Sequence, residues 1–246
     1  MVRKFWLEWL RIGIRNTHLF SLLTIKKRME AEKTFFFLNQ GFTEQMVEVA
    51  VYPGKNPLAV LIIVGQGGSV DGYKNKYQII ASKLVEHYGA NIFVVENQLP
   101  LEAKAHPFIQ NAMEFVEETM SCFWFEKWES FAMGSSAWGL FLANCLDAYP
   151  QISRLLLVNP VLSIDFEQNI KNLTDFQGQL TIIHGSEDGE ADLHEVLKEK
   201  LVWNKKNILL LEGVDHLFSN PWGFESYLEL PEKYLFSGKI SLNKQK

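Results

Sequence analysis

The sequence predicts an α/β fold, with a mostly parallel central sheet and helices on both faces. Three observations predict it. Short apolar runs alternate with helix-like segments along most of the chain. Several runs, such as LAVLIIV at residues 58–64, are apolar at every position, as in strands covered on both faces. No internal repeat, low-complexity segment or linker rich in Pro, Gly or Ser interrupts the alternation. At 246 residues, 47% hydrophobic, the chain can bury a sizeable core.

Taken in order, residues 1–30 read as an amphipathic helical extension. Lys4, Glu8, Arg11 and Arg15 fall on one narrow helical stripe, and Val2, Phe5, Trp6, Trp9, Leu10 and Ile12 cover a wide apolar face opposite. That face packs on its own domain or on a second copy of the chain; a membrane surface is the alternative partner. Lys26, Lys27 and Arg28 read as a solvated turn. From Thr34 two strands follow, joined through Gly41, the second alternating around Met46, Val47, Val49 and Val51. After the 58–64 strand comes a Gly-rich loop (GQGGSVDGY) and a helix over 74–87. ANIFVVE is a strand, and Pro107 opens a helix to Met120. ESFAM is a strand, and a helix over 137–149 stops at Pro150. RLLLVNP, QLTIIHG and NILLLEG are strands, with helices over 164–175 and 193–202 between them. A last helix spans 223–235, disturbed by Pro231, and residues 237–246 form a polar tail. The central domain is thus expected over 31–236.

Composition narrows the function. A net charge of -5 and a pI of about 5.7 supply no basic field for nucleic acid. Cys122 and Cys145 both lie in apolar runs, with no CxxC pair or Cys/His cluster, so neither a disulfide framework nor structural zinc is expected. Gly65, Gly67 and Gly68 match neither GxGxxG nor a Walker sequence, which argues against nucleotide binding. No uncharged run is long enough to cross a membrane. Glu8, Arg11 and Arg15 interrupt the N-terminal apolar region and no small-residue cleavage site follows, so a cytoplasmic location is expected.

Sites in parallel sheets sit at the carboxyl ends of the strands. Three loops there hold a serine, an acid and a histidine in that chain order: Ser136 in GSSAWG, Asp188 in HGSEDGEAD and His216 in EGVDHLF. A serine hydroxyl needs a base in hydrogen-bond reach to become a nucleophile. Histidine takes and returns that proton near neutral pH. An aspartate fixes the imidazole tautomer and stabilises its cation. A developing oxyanion needs two donors: the Ala137 N–H at the helix start and one from the loop after residues 58–64.

From Thr34 to Leu235 the chain resembles the α/β-hydrolase superfamily, as a serine esterase or thioesterase-like member with a minimal cap. LIIVGQGGS is similar to that family's His-Gly-x-Gly-Gly oxyanion loop, with Gln66 where the donating amide lies. GSSAWG is similar to the Gly-x-Ser-x-Gly nucleophile elbow, IIHGSED to the acid segment and GVDH to the histidine segment. The resemblance implies acyl hydrolysis or transfer through an acyl-enzyme, acting on a small acyl substrate without cofactor or metal.

Two positions depart from the pattern. Val64 replaces a commonly structural histidine, and Trp138 replaces the glycine two residues after the nucleophile. An indole there points into a gap or into the pocket; with Leu217 it is read as the pocket rim. Only 161–178 separate two strands where relatives insert a cap, so an open pocket is expected. Such a rim suits an ester or thioester with an apolar acyl part. Glu187 and Asp192 rival Asp188 as the acid, and Asp215 is a competing partner for His216. His184 reads as structural, and His18, His87, His106 and His194 as surface residues. Trp124, Phe125 and Trp128 read as core. The alternative function is an inactive binding or scaffold protein of the same fold, with Trp138 filling the pocket.

Overall fold

In the computed structural model the described residues are 31–40, 43–97, 105–201 and 206–239. The expected N-terminal extension, and the tail beyond residue 239, lie outside them.

Eight strands form one sheet among the described residues: β1 (Glu32–Gln40), β2 (Thr43–Tyr52), β3 (Leu58–Ile63), β4 (Asn91–Val95), β5 (Glu129–Ser135), β6 (Ile152–Val158), β7 (Gln179–Gly185) and β8 (Lys206–Leu211). Their order is β1-β2-β4-β3-β5-β6-β7-β8. β2 pairs antiparallel with both β1 and β4, and every pair from β4 to β8 is parallel. Six helices connect or follow them: α1 (Lys76–Tyr88), α2 (Ala105–Cys122), α3 (Ala137–Asn144), α4 (Phe166–Asp175), α5 (Leu193–Lys200) and α6 (Pro221–Leu230).

The all-apolar strands are buried because both faces are covered. Along β3, Ala59, Leu61 and Ile63 join one core with Phe108 and Met113 of α2, Leu142 of α3 and Leu173 of α4. Leu58, Val60 and Ile62 join a second core with Ile80 and Leu84 of α1 and Leu230 of α6. The period of two thus sends alternate side chains to opposite layers. Each fully buried aliphatic contributes about 1.5–3 kcal/mol.

Several boundaries differ from the sequence reading for local reasons. The helix expected over 74–87 starts later, because Lys74 and Asn75 take left-handed φ values of 52° and 58°. The helix expected over 137–149 ends at Asn144 and continues as a separate 3₁₀ turn, Leu146–Ala148. The last helix begins at Pro221, where Asn220 Oδ1 accepts the Gly223 N–H at 2.6 Å. Pro231 then turns its continuation into a π-helical segment, Pro231–Leu235. Trp124 is a correction: φ is 65° just past α2, and the side chain is 79% exposed, not core. Phe125 and Trp128 do pack against the first core. No helix of the described residues is long and apolar enough to cross a membrane.

Candidate active site

β5 ends at Ser135, and Ser136 turns the chain into α3 with φ 58° and ψ -139°, a strained geometry for a residue with a Cβ. Backbone bonds hold the turn: the Ser136 N–H donates to Val158 O at 3.0 Å, and the Gly139 N–H to Ser136 O at 2.9 Å. A Cβ at Gly134 would meet Leu142 Cδ1 at 2.7 Å, and one at Gly139 would meet Pro160 Cβ at 2.8 Å. The small residues the elbow requires are therefore Gly134 and Gly139. Position 138 faces the other way. The Trp138 indole has no exposed surface and lies between Phe108, 4.4 Å away, and Phe141, 5.0 Å away. The expectation that Trp138 rims an open pocket is corrected: it is a core residue under α2, and its indole N–H has no hydrogen-bond partner among the described residues.

The acid and histidine loops leave β7 and β8 side by side. Ser186 N donates to Leu211 O at 2.9 Å, Glu187 N to Val214 O at 2.9 Å, and Gly213 N to Ser186 Oγ at 2.8 Å. The loops touch so closely that a Cβ at Gly185 would lie 2.1 Å from Val214 O. This pairing brings three side chains together. His216 Nε2 lies 2.9 Å from Ser136 Oγ, and His216 Nδ1 is hydrogen-bonded to Asp188 Oδ2.

The rivals go elsewhere. Glu187 and Asp192 are exposed, whereas the Asp188 side chain is 1% exposed. Asp215 accepts from the Ser219 N–H at 2.8 Å and from the Ser219 hydroxyl, which fixes it within its own turn. Burial pushes the Asp188 carboxyl up, but the bonds from His216 and the Glu190 amide (2.7 Å) outweigh it and hold it below its ordinary value. The Asp188 hydrogen bond raises His216 above an ordinary histidine, against partial burial.

The loop after β3 runs beside Ser136: a Cβ at Gly65 would sit 3.7 Å from Ser136 Cβ. The loop turns tightly, with Gly67 at φ 69° and the Gly68 N–H on Gly65 O at 2.9 Å. A Cβ at Gly68 would strike that oxygen at 2.8 Å. Gln66 is exposed within this turn, and Ala137 is buried directly after Ser136. Leu217 follows His216 and is 73% exposed. His184 is fully buried at the end of β7, where desolvation keeps its pKa low. His194 is a further correction, because it is buried and not on the surface. His87 binds Glu232 at 2.9 Å. Residues 98–104 of the loop after β4 lie outside the described residues.

The sequence reading missed two polar groups around this site. Next to Ser136, Ser135 Oγ is 2.8 Å from Tyr227 OH, which is 3.3 Å from Tyr77 OH. Burial, then the neighbouring Tyr227, push the Tyr77 phenol well up, so it stays neutral. Tyr77 and Tyr227 lie on different helices, and no local pattern links them. The second group is the amide of Asn159, 1% exposed just past β6. An Asn between an apolar strand and a proline was its only sequence signal.

A depression of about 600 Å³ lined by Glu129, Ser153, Arg154 and Gln179 opens at the opposite ends of the strands. It lies away from Ser136, Asp188 and His216, which sit at the carboxyl ends.

No protein-family model matches the sequence, and no curated protein does. Solved structures do. A candidate α/β hydrolase of unknown function from Agrobacterium tumefaciens superposes with a TM-score of 0.67 at 17% identity, covering 85% of this chain and 99% of its own. The esterase Est1E from Butyrivibrio proteoclasticus gives 0.62 at 12% identity over 82% and 98%. An esterase domain from Rhodothermus marinus gives 0.62 at 12% identity over 84% and 100%. At such identities the likeness concerns architecture. With its sheet order, crossovers and strand-turn-helix elbow, the chain has the fold of the α/β-hydrolase superfamily.

Proposed function

We propose that the protein is a serine hydrolase that cleaves an ester or thioester through an acyl-enzyme. The observation that carries this reading is the Ser136 Oγ–His216 Nε2 hydrogen bond of 2.9 Å, with Asp188 on the other ring nitrogen. Ser136 Oγ attacks the acyl carbonyl carbon while His216 Nε2 takes its proton. The negative oxygen receives the backbone N–H groups of Gln66 and Ala137. Collapse expels the alcohol or thiol, which leaves with the proton from His216. Water then attacks the acyl carbon with His216 again as base, releasing the acid and restoring Ser136.

His216 is 38% exposed, so the reacting groups are reachable from solvent. Exposed Leu217 offers an apolar contact to the acyl part. Structures of the same fold that carry the name esterase support the reading. The scaffold alternative was motivated by an indole filling the pocket, and the core position of Trp138 removes that motive. Free thiols at Cys122 and Cys145 suit a reducing, cytoplasmic location.

The test is hydrolysis of short p-nitrophenyl esters together with labelling by a fluorophosphonate. Wild type is expected to hydrolyse the esters and to label at Ser136. Folded Ser136→Ala is expected to lose both, with the rate falling by roughly 10⁴-fold or more. Equal activity in wild type and variant, or no labelling of folded wild type, overturns the proposal.

A further inference from the structure

Asn159 ties together the loops that carry the acid and the base. Its φ of 44° is left-handed, a region in which asparagine is favoured among non-glycine residues. The backbone N–H donates to Ile183 O of β7 at 2.8 Å, anchoring the residue between β6 and β7. The side chain then works in two directions. Oδ1 accepts the Gly185 N–H at 2.8 Å. Nδ2 donates to His216 O at 2.9 Å and to Asp215 O at 3.2 Å. The Gly185 carbonyl in turn accepts the Asp188 N–H at 3.1 Å. One buried amide therefore links the backbone of His216 to the turn that presents Asp188.

We propose that Asn159 is a positioning residue for the triad, and this rests on the serine-hydrolase reading. Its amide sets the backbone of His216 so that Nε2 meets Ser136 while Nδ1 meets Asp188. The chemistry of the position demands an asparagine. The site presents one N–H to be accepted and two carbonyls to be donated to. Aspartate cannot donate when ionised, leucine does neither, and serine is too short to reach both loops. A His216 moved by an ångström would no longer share a line with Ser136 and Asp188, and such misplacement costs up to about 10²-fold in rate.

Asn159→Asp is the decisive variant. It keeps the acceptor for Gly185 but turns the second arm toward two carbonyl oxygens. Protonated, that arm donates to one of them; ionised, it repels both. The other titratable groups bearing on His216 are Asp188, Asp215 and Glu190, with His184 buried one residue before Gly185. The expected result at pH 8 is a kcat lowered roughly 10- to 100-fold with KM little changed. The gap to wild type should narrow as the pH falls and the new carboxyl protonates. Asn159→Ser should show the kcat loss at every pH.

All rates are taken per folded molecule, with folding followed by thermal melting. Independently of activity, the His216 Nδ1 proton resonance and its titration midpoint, read by NMR, should move in both variants. Variants that melt earlier but keep wild-type kcat, pH profile and His216 resonance would make Asn159 purely structural and overturn the proposal. Wild type that neither labels nor hydrolyses would instead sink the hydrolase reading. The NMR arm would still decide whether Asn159 positions the ring.

Discussion

Replacing Trp138 separates a core role from a pocket role. The indole is fully buried between Phe108 and Phe141. A large aromatic side chain buries about 150–250 Å². At about 25 cal/mol per Å² that amounts to roughly 4–6 kcal/mol. Alanine keeps a part of it, and removing the unsatisfied indole N–H relieves about 1–3 kcal/mol. Trp138→Ala should therefore destabilise by about 3 kcal/mol, the low end of the range for such truncations. In a domain of this size that is a fall in Tm of roughly 6–12 °C. Trp138→Phe keeps most of the area and loses the orphaned donor, so its Tm should stay within a few degrees of wild type. Thermal melting and urea denaturation measure both, and kcat/KM on acetyl and octanoyl esters measures the site. Trp138→Phe should leave the ratio of the two esters unchanged. A Trp138→Ala protein that melts like wild type but changes acyl preference would refute the reasoning, because the indole would then be lining the pocket.

Three further outcomes concern the proposed triad and Leu217. His216 must be neutral to act as base, and its bond to Asp188 raises its pKa, so kcat/KM should rise with pH through a midpoint above the ordinary histidine value of about 6.5. Asp188→Asn should lower that midpoint and reduce the plateau by about 10³- to 10⁴-fold; an unchanged profile would remove Asp188 from the triad. The same pair sets a stability window. The raised His216 stabilises fully below about 6.5 and loses this as pH rises through its folded value, while the lowered Asp188 stabilises above about 3.9 and loses this as pH falls through its folded value. Asp188→Asn should accordingly lower Tm most between about 3.9 and 6.5, where both contributions are complete, and flatten the fall of Tm on either side of that window, which melting across a pH series reads directly. Leu217→Ala should leave Tm unchanged, since the side chain is 73% exposed, but lower kcat/KM for octanoyl relative to acetyl esters by about fourfold if roughly one methylene's contact is lost. Equal losses on both esters would exclude Leu217 from the acyl contact.

What the sequence made legible was whatever a local pattern carries. The run at 58–64 reads as a doubly covered strand because every residue is apolar, and β3 does send alternate side chains into two cores. That Ser136, Asp188 and His216 would meet was legible because each follows a recognisable strand, and the fold places all strand ends of one sense on one edge. The direction of the Trp138 side chain was not. It depends on the phase at which α3 leaves a strained turn, which no local period encodes. Tyr227 meets Ser135 across 92 residues, and Asn159 meets His216 across 57. Such long-range polar pairs leave no trace in a linear window.

The elbow shows how the same physics reads differently at the two levels. As a motif, GSSAWG lacks a glycine. As a solid, it has both small residues it needs, because the tight contact with Pro160 falls on Gly139 and the contact with Leu142 on Gly134. The requirement is for space against neighbouring elements, not for a letter at a fixed offset. A bulky residue at position 138 is compatible with the turn because the turn aims it away from the crowded side. It then contributes to the packing of α3 on α2, the helix whose Phe108 it touches. The strain held at Ser136 is balanced by that packing and by the Val158 and Gly139 backbone bonds.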